Sequence, residues 1–141
     1  AEDFCRKFCK KYGYRDLTSS SGRDGNIFTA TRYYGDYPVF NATVTFLLED
    51  NCLISISGIY FPDSEGTAAD GGSMNAVTAL SHFLKNRRES GVVVSAVRDV
   101  YLCYSLQSTS SAPLLLSPVW CVVTDTSNYY VNCSTGSVTR D

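Results

Sequence analysis

The last third of the chain most constrains its fold, because it reads as two neighbouring strands of an antiparallel sheet. Residues 116–123 form a largely apolar run, a polar turn follows, and residues 129–132 form a short aromatic run that a Thr-Gly turn closes. The triplet Pro-Val-aromatic at 118–120 occurs a second time at 38–40. This echo favours a duplicated unit, with chance recurrence as the alternative, since Pro is common at strand starts.

The first half predicts one helix followed by a three-stranded meander. Apolar residues of the segment Asp3–Tyr12 fall on one side of a helical wheel, and Gly13 supplies a stop. From Phe40 to Leu48, apolar and polar residues alternate, which is typical of a half-buried antiparallel strand. The predicted elements are a helix at 3–12, a Ser/Thr/Gly-rich loop at 18–25, and strands at 26–34, 40–48 and 52–60, with a tight turn at 35–36.

The second half predicts the same order of elements. Ser73 is a suitable N-cap for a helix to about Glu89, and Gly91 ends that helix. Its predicted apolar face consists of Ala76, Val77, Leu80, Phe83 and Leu84. The predicted strands are 92–106, interrupted at Arg98, then 114–124 and 129–132, with a polar insertion at 107–112.

The predicted fold is therefore α+β, built from two repeated units of one helix plus a three-stranded antiparallel meander. The half-repeats cover about 1–62 and 73–141, and a polar loop at 62–72 joins them. With 141 residues, of which 44% are hydrophobic and 18% charged, the chain can bury one ordinary core, so we expect a single domain.

Composition argues against several functions. Twelve Lys and Arg face fourteen Asp and Glu, giving a formal charge of -2 without a basic stripe, so we expect no nucleic-acid partner. No apolar run approaches the roughly 20 residues of a spanning helix. The chain starts at Ala1 without a signal-like segment, and we expect it to be a piece of a longer protein.

The six cysteines leave two interpretations open. They fit either disulfides in an oxidising compartment or small buried hydrophobic residues. Cys5 and Cys9 lie four apart on the predicted first helix, and no pair has the two-residue spacing of a zinc or redox motif. We therefore expect no metal site.

The residues that could carry catalysis do not form a set. His82 falls on the polar side of the second helix, which favours a solvated surface histidine over a catalytic base. Asp63, Glu65 and Asp70 lack the spacing of an EF-hand loop, so a solvated linker is the preferred interpretation over weak calcium binding. We expect no catalytic residues, no cofactor and no enzyme activity.

Two further groups of residues are candidates for a binding surface. Arg98 and Asp99 interrupt an apolar strand, and an exposed edge or a bend is preferred over a partner site. Most of the five strand aromatics are better explained as core or sheet-packing residues than as an aromatic binding surface: Tyr33, Tyr34, Trp120, Tyr129 and Tyr130.

Several segments carry a resemblance to a known family. They are Phe28–Phe40, Ala42–Leu48, Ala79-Leu80, Val97–Tyr104, Pro118–Trp120, and Tyr129–Asn132 with Gly136. Together they resemble the soluble domain of YycI, which with its relative YycH regulates the WalK (YycG) sensor histidine kinase of low-GC Gram-positive bacteria from outside the membrane. The closing pattern Tyr-Tyr-Val-Asn, then Gly, is also similar to PepSY-type domains, which are often secreted or membrane-anchored binding or inhibitory modules.

The resemblance implies a two-component signalling protein of cell-wall homeostasis. Such a protein is held at the extracytoplasmic face by an N-terminal spanning helix that this chain does not include. It acts on the sensor histidine kinase, together with a YycH-like partner, by protein contacts, and the outer domain is left for dimerisation as a homodimer, partner sensing or ligand sensing. The first alternative is a PepSY-like binding or peptidase-inhibitory domain, and the second is an uncharacterised hydrolase.

Overall fold

The computed structural model describes residues 1–22, 25–61, 67–68, 74–107 and 115–140, without the side chains of residues 25, 67 and 68. The chain divides into two compact units, Ala1–Gly66 and Thr67–Asp141. Within the described residues, neither helix is long and apolar enough to cross a membrane.

Unit 1 begins with helix α1, Glu2–Tyr12, as predicted. Of the apolar face predicted for this helix, Cys5 and Cys9 are buried one turn apart and Phe8 and Tyr12 are half-buried, which confirms them, whereas Phe4 is 46% exposed. The helix ends at Gly13, whose φ of 78° is the left-handed conformation that favours glycine at a helix end.

Four antiparallel strands follow α1, each paired with the next. The predicted loop at 18–25 is wrong, because Thr18 to Gly22 belong to the first strand and pair with residues 25–29 of the second. Ser and Thr suggested a loop, yet a hairpin ladder satisfies the backbone while these residues stay exposed. The strands are β1 Tyr14–Gly22, β2 Gly25–Tyr34, β3 Tyr37–Glu49 and β4 Cys52–Gly58.

The core of unit 1 lies between α1 and one face of this sheet. The alternation predicted for β3 is confirmed from Ala42 onward, since Ala42, Val44, Phe46 and Leu48 are all buried. Val44, Phe46 and Leu48 pack with Cys5, Cys9, Tyr14 and Ala30. Strand β4 differs from its prediction, because every one of its residues is exposed despite the alternation of Ile54 and Ile56 with serines.

Unit 2 contains helix α2, Ala76–Ser90, which starts later than predicted. Its N-cap is Asn75, whose side chain accepts a 2.9 Å hydrogen bond from the backbone N–H of Thr78, and not Ser73, which lies outside the described residues. Gly91 ends the helix at a φ of 71°, as predicted.

The predicted apolar face of α2 is partly wrong. Ala79 and Phe83 are buried, whereas Val77 and Leu84 are 73% and 56% exposed. Positions four apart lie above one another on a helix, so the face that contains Ala79 and Phe83 continues to Arg87 rather than to Leu84.

The described residues of unit 2 form five strands: β5 Thr67–Ala68, β6 Val97–Gln107, β7 Leu115–Thr124, β8 Asn128–Asn132 and β9 Val138–Arg140. Strand β5 lies within the predicted loop at 62–72, so that prediction is wrong there; the rest of the loop, with Asp63, Glu65 and Asp70, lies outside the described residues. Strand β5 pairs in parallel with β7, whereas β6, β7, β8 and β9 pair consecutively and antiparallel.

Two details of unit 2 revise the sequence reading. Strand β6 begins at Val97 rather than Val92, and the register shifts between Val97 and Asp99, so Arg98 marks a bulge. The predicted bend at Arg98 is confirmed. Of the insertion predicted at 107–112, Gln107 ends β6 and the remainder lies outside the described residues.

The core of unit 2 lies between α2 and the sheet and contains Ala79, Phe83, Val122, Tyr129 and Val131. The α+β class is confirmed. The predicted repeat of a helix with three strands is not confirmed, because in the described part of the chain four antiparallel strands follow each helix, and their lengths differ between the units.

Candidate functional site

A groove in unit 2 lies between the last two turns of α2 and the segment that leads into β6. Its volume is about 500 Å³, which is within the usual range of ligand sites. Among the described residues, its lining is mainly apolar, with two arginines and no acidic side chain: Phe83, Leu84, Arg87, Arg88 and residues 91–97.

The chain forms this groove because the helix ends before the next strand begins. Gly91 reverses the chain at the end of α2, and Val92 to Ala96 then belong to neither helix nor strand. Val93 is 81% exposed. Three consecutive valines in a segment outside the sheet therefore present apolar side chains and backbone groups to the groove.

Asp125 fixes the far end of this segment. Its Oδ1 accepts hydrogen bonds from the backbone N–H groups of Ser95 and Ala96 at 3.2 and 3.3 Å. Desolvation alone would raise the pKa of Asp125, but the N–H groups of Ala96, Asp125 and Ser95 lower it below its ordinary value. The carboxylate thus ties the groove wall to the turn after β7.

Arg87 is the central charged residue of the groove. Its guanidinium carbon lies 4.3 Å from the centre of the Tyr129 ring and 5.9 Å from that of Phe83, so the cation is held over two aromatic faces. Its Nη2 donates to the side-chain oxygen of Asn86. Its Nε is buried and has no hydrogen-bond partner among the described residues.

Tyr129 lies beneath Arg87 and is fully buried. Its ring contacts that of Phe83, with 5.2 Å between centres. Its hydroxyl is also buried without a hydrogen-bond acceptor or donor in the part of the chain that the structure describes. An unpaired buried polar group costs about 1–3 kcal/mol, and of these two residues only Arg87 lines the groove, where its guanidinium can meet a polar ligand group.

His82 does not join this groove. It is half-buried rather than freely solvated, so the predicted surface position is only partly right. Its ring lies against the backbone of Gly136, where an added Cβ would come within 2.7 Å of the imidazole Cε1. His82 therefore packs between α2 and the turn before β9, away from any described acid–base partner.

The cysteines do not form a reactive or metal-binding centre in the described chain. None of the six forms a disulfide among the described residues, and all except Cys52 are buried. Burial, with the neighbouring Cys121 and Cys133, raises the pKa of Cys103, which keeps that thiol protonated and poorly nucleophilic. No group of three or more His, Cys, Asp or Glu side chains among the described residues could hold a metal ion.

The aromatic residues considered as a surface mostly pack. Tyr129 and Tyr130 are buried, and the half-buried Trp120 donates from Nε1 to the carbonyl of Met74 at 2.8 Å. Tyr33 and Tyr34 are half-buried in unit 1. The preferred interpretation of sheet packing is confirmed for the two residues of β8.

Unit 1 has a polar cluster at a bulge between β1 and β2. Asp16 adopts a φ of 59° where the register of β1 shifts, and its Oδ2 accepts a 2.5 Å hydrogen bond from the hydroxyl of Tyr33. The guanidinium of Arg15 lies 4.8 Å from the centre of the same ring. Desolvation, followed by the contact with Asp16, raises the pKa of Tyr33 to about 12.

Arg32 of β2 is a buried cation that sequence reasoning missed. Its Nη1 donates to the carbonyls of Gly13 and Tyr33 at 3.2 and 2.9 Å, and its Nη2 donates to that of Phe61 at 3.0 Å. Its guanidinium also lies 4.7 Å from the Phe61 ring centre. Because these contacts join the end of α1 to the segment after β4, we assign Arg32 a structural role.

Sequence reasoning also missed Arg87. The available signal was its position four residues after Phe83, on the apolar face of α2, where a cation is unusual and needs a partner. Its stacking on Tyr129 depended on which sheet residue faces that helix turn. No spacing within the sequence reveals that contact.

Comparison with known proteins gives a fold and no family. No protein-family model matches the chain, and no curated protein matches it. Among solved structures, it is similar to the C-terminal domain of YpeB from Bacillus megaterium, with 13% identity and a TM-score of 0.54. The match covers 99% of this chain and 62% of that one. This likeness supports a PepSY-like fold and does not single out YycI.

Proposed function

We propose that the protein is a non-enzymatic binding module that holds a segment of another protein in the groove beside α2. The observation that carries this proposal is the position of Arg87 over Tyr129, with buried donors that the described chain leaves unpaired. Apolar walls with a few convergent polar groups are the usual composition of a binding site.

The PepSY-like alternative has the support of the fold. The similarity to the YpeB C-terminal domain is consistent with a secreted or membrane-anchored binding or peptidase-inhibitory domain. Under this proposal the two units are PepSY-like half-repeats, and the partner is a peptidase or a peptide.

The second candidate is a YycI-like regulator of a sensor histidine kinase, supported by the sequence resemblance of β2, β3 and β6–β8. In this proposal the chain is the extracytoplasmic domain of a longer, membrane-anchored protein. Its partners are the kinase and a YycH-like protein. It tunes the kinase by protein contacts and carries out no chemistry itself.

Co-purification of the full-length gene product from its host membranes, followed by mass spectrometry, tests both candidates. The groove variant is Val93→Asp, and the control is Lys85→Gln, an exposed change on the same helix outside the groove lining. We expect the wild type and the control to retain one defined partner that the groove variant loses.

The identity of that partner separates the candidates. A sensor histidine kinase with a YycH-like protein supports the regulator, and a secreted peptidase supports the PepSY-like inhibitory domain. A partner retained equally by Val93→Asp would overturn the assignment of binding to this groove.

A further inference from the structure

We propose that the segment bound in the groove is the C-terminal end of an apolar peptide, with its free carboxylate bound by Arg87 and Arg88. The inference rests on the proposed function and adds the chemical class of the ligand. Three observations lead to it: the charge of the lining, the exposed valines, and the backbone that lies outside the sheet.

The positive charge of the groove lining favours an anionic ligand. Two arginines and no acidic side chain occur among the described lining residues. The Nη2 of Arg87 donates a hydrogen bond to the neutral side-chain amide of Asn86, and its buried Nε has no hydrogen-bond partner in the described chain. Charge-assisted hydrogen bonds are roughly twice as strong as neutral ones, so a carboxylate competes well with the Asn86 amide.

The contact between Tyr129 and Arg87 also favours binding of an anion. The Tyr129 ring fixes the guanidinium from below, so Arg87 loses little rotamer freedom when it binds an anion. Tyr129 itself is fully buried beneath Arg87 and does not line the groove, so its role is to position the guanidinium. Arg88 is exposed at the rim, where it adds positive charge.

The exposed valines favour apolar residues next to the carboxylate of the ligand. Val92, Val93 and Val97 are 40%, 81% and 43% exposed, and they line the same groove as the two arginines. A ligand that covers them gains from apolar burial, which is roughly proportional to the area removed from water. The last residues of the bound peptide are therefore apolar.

The backbone distinguishes a peptide from a fatty acid. Both could present a carboxylate beside an apolar chain. Residues 92–96 belong to no described strand, and the backbone N–H groups of Ser95 and Ala96 already donate to Asp125. The backbone of Val93 and Val94 lies outside the sheet ladder and can pair with an extended peptide. The acyl chain of a fatty acid cannot form hydrogen bonds with these backbone groups, because it has no amide groups.

Fluorescence anisotropy with defined probes tests the proposal. The probes are a fluorescein-labelled octapeptide that ends in three valines with a free carboxylate, and the same peptide with a C-terminal amide. Decanoate serves as an unlabelled competitor. We expect the acid to bind about tenfold more tightly than the amide, the difference that one charge-assisted contact supports.

Matched variants locate the effect. Arg87→Met and the exposed Arg88→Met should each reduce the preference for the acid, whereas Lys85→Met on the same helix should retain it. Arg88→Met guards against misfolding, since Arg88 lies at the surface while Arg87 contacts the core ring of Tyr129. Decanoate should compete poorly.

Each contrary result has its own meaning. Equal binding of acid and amide, lost in Val93→Asp, would overturn carboxylate recognition and leave the proposed function standing. Displacement of the peptide by decanoate at micromolar concentration would replace the peptide by an acyl chain. If neither peptide binds, the inference fails, and the co-purification experiment still decides the proposed function separately.

Discussion

The hydroxyl of Tyr33 donates a 2.5 Å hydrogen bond to the carboxylate of Asp16, across the bulge that separates Arg15 from Thr18 in the β1–β2 pairing. Desolvation and this carboxylate raise the pKa of Tyr33 to about 12. The raised pKa means that the contact stabilises the fold fully below the ordinary tyrosine pKa of about 10, and that this stabilisation is lost as the pH rises through 12.

Spectrophotometric titration at alkaline pH measures this prediction. Tyr33→Phe should remove one tyrosinate that forms near pH 12. Asp16→Asn should keep that tyrosinate and shift its pKa down, because the neighbouring negative charge is gone. A late tyrosinate that persists in Tyr33→Phe would contradict the assignment.

Gly13→Ala should strongly destabilise unit 1. A Cβ at Gly13 would lie 1.8 Å from Nη1 of Arg32, and the residue has a φ of 78°. We expect a loss of about 3 kcal/mol, from backbone strain and from displacement of buried hydrogen bonds. Urea denaturation measures the loss.

The matched control for this change is Gly35→Ala. Gly35 has a φ of 59°, and no described atom lies within 4 Å of its added Cβ. Only backbone strain should remain, about 1 kcal/mol. Equal losses for the two variants would show that Arg32 does not constrain position 13.

Gly136→Ala should destabilise unit 2 through His82. An added Cβ would lie 2.7 Å from the imidazole, and the φ of 73° adds strain. Overpacking of this kind costs about 1–3 kcal/mol. In thermal or urea unfolding, His82→Ala should recover part of that loss in the Gly136→Ala background, while the strain persists.

Gly91, a second glycine of unit 2, distinguishes the cost of the steric clash from the cost of backbone strain. Gly91→Ala meets no described atom within 4 Å at a similar φ of 71°, so it should lose only the strain energy. If His82→Ala gave no recovery with Gly136→Ala, the packing of His82 against this turn would be refuted.

Asn75→Ala should weaken the start of α2. The side chain of Asn75 accepts a hydrogen bond from the Thr78 N–H, and loss of an N-cap costs about 1 kcal/mol. Ser73→Ala should change the free energy of unfolding by less than about 0.5 kcal/mol, since Ser73 is not the cap. Urea denaturation of both variants distinguishes the two positions. A larger loss of stability in Ser73→Ala than in Asn75→Ala would instead support Ser73 as the N-cap, as the sequence suggested.

The sequence predicted both helices and most strands because their signals are local. The alternation along β3 reports a sheet with one buried face, and Gly13 and Gly91 mark helix ends through their own backbone conformation. Strand β1 was missed because its Ser and Thr residues resemble a loop, and only pairing with β2 makes them a strand. Local composition carries no information about that pairing.

The groove was harder to predict for the same reason. Val92–Ala96 have the composition of a strand, and the sequence does not reveal that Asp125 holds this segment outside the sheet. The importance of Arg87 likewise depends on a ring 42 positions later in the chain, at Tyr129. Sites assembled from distant segments depend on tertiary contacts that no short motif records.

The five buried thiols can report the local opening of each unit separately. Cys5 and Cys9 lie in the core of unit 1, and Cys103, Cys121 and Cys133 are buried in unit 2, while Cys52 is exposed. An alkylating reagent reaches a buried thiol only when the surrounding structure opens, so the labelling rate relative to Cys52 reports the free energy of that opening. The chain therefore carries natural reporters that can time the loosening of one unit independently of the other, without any introduced probe.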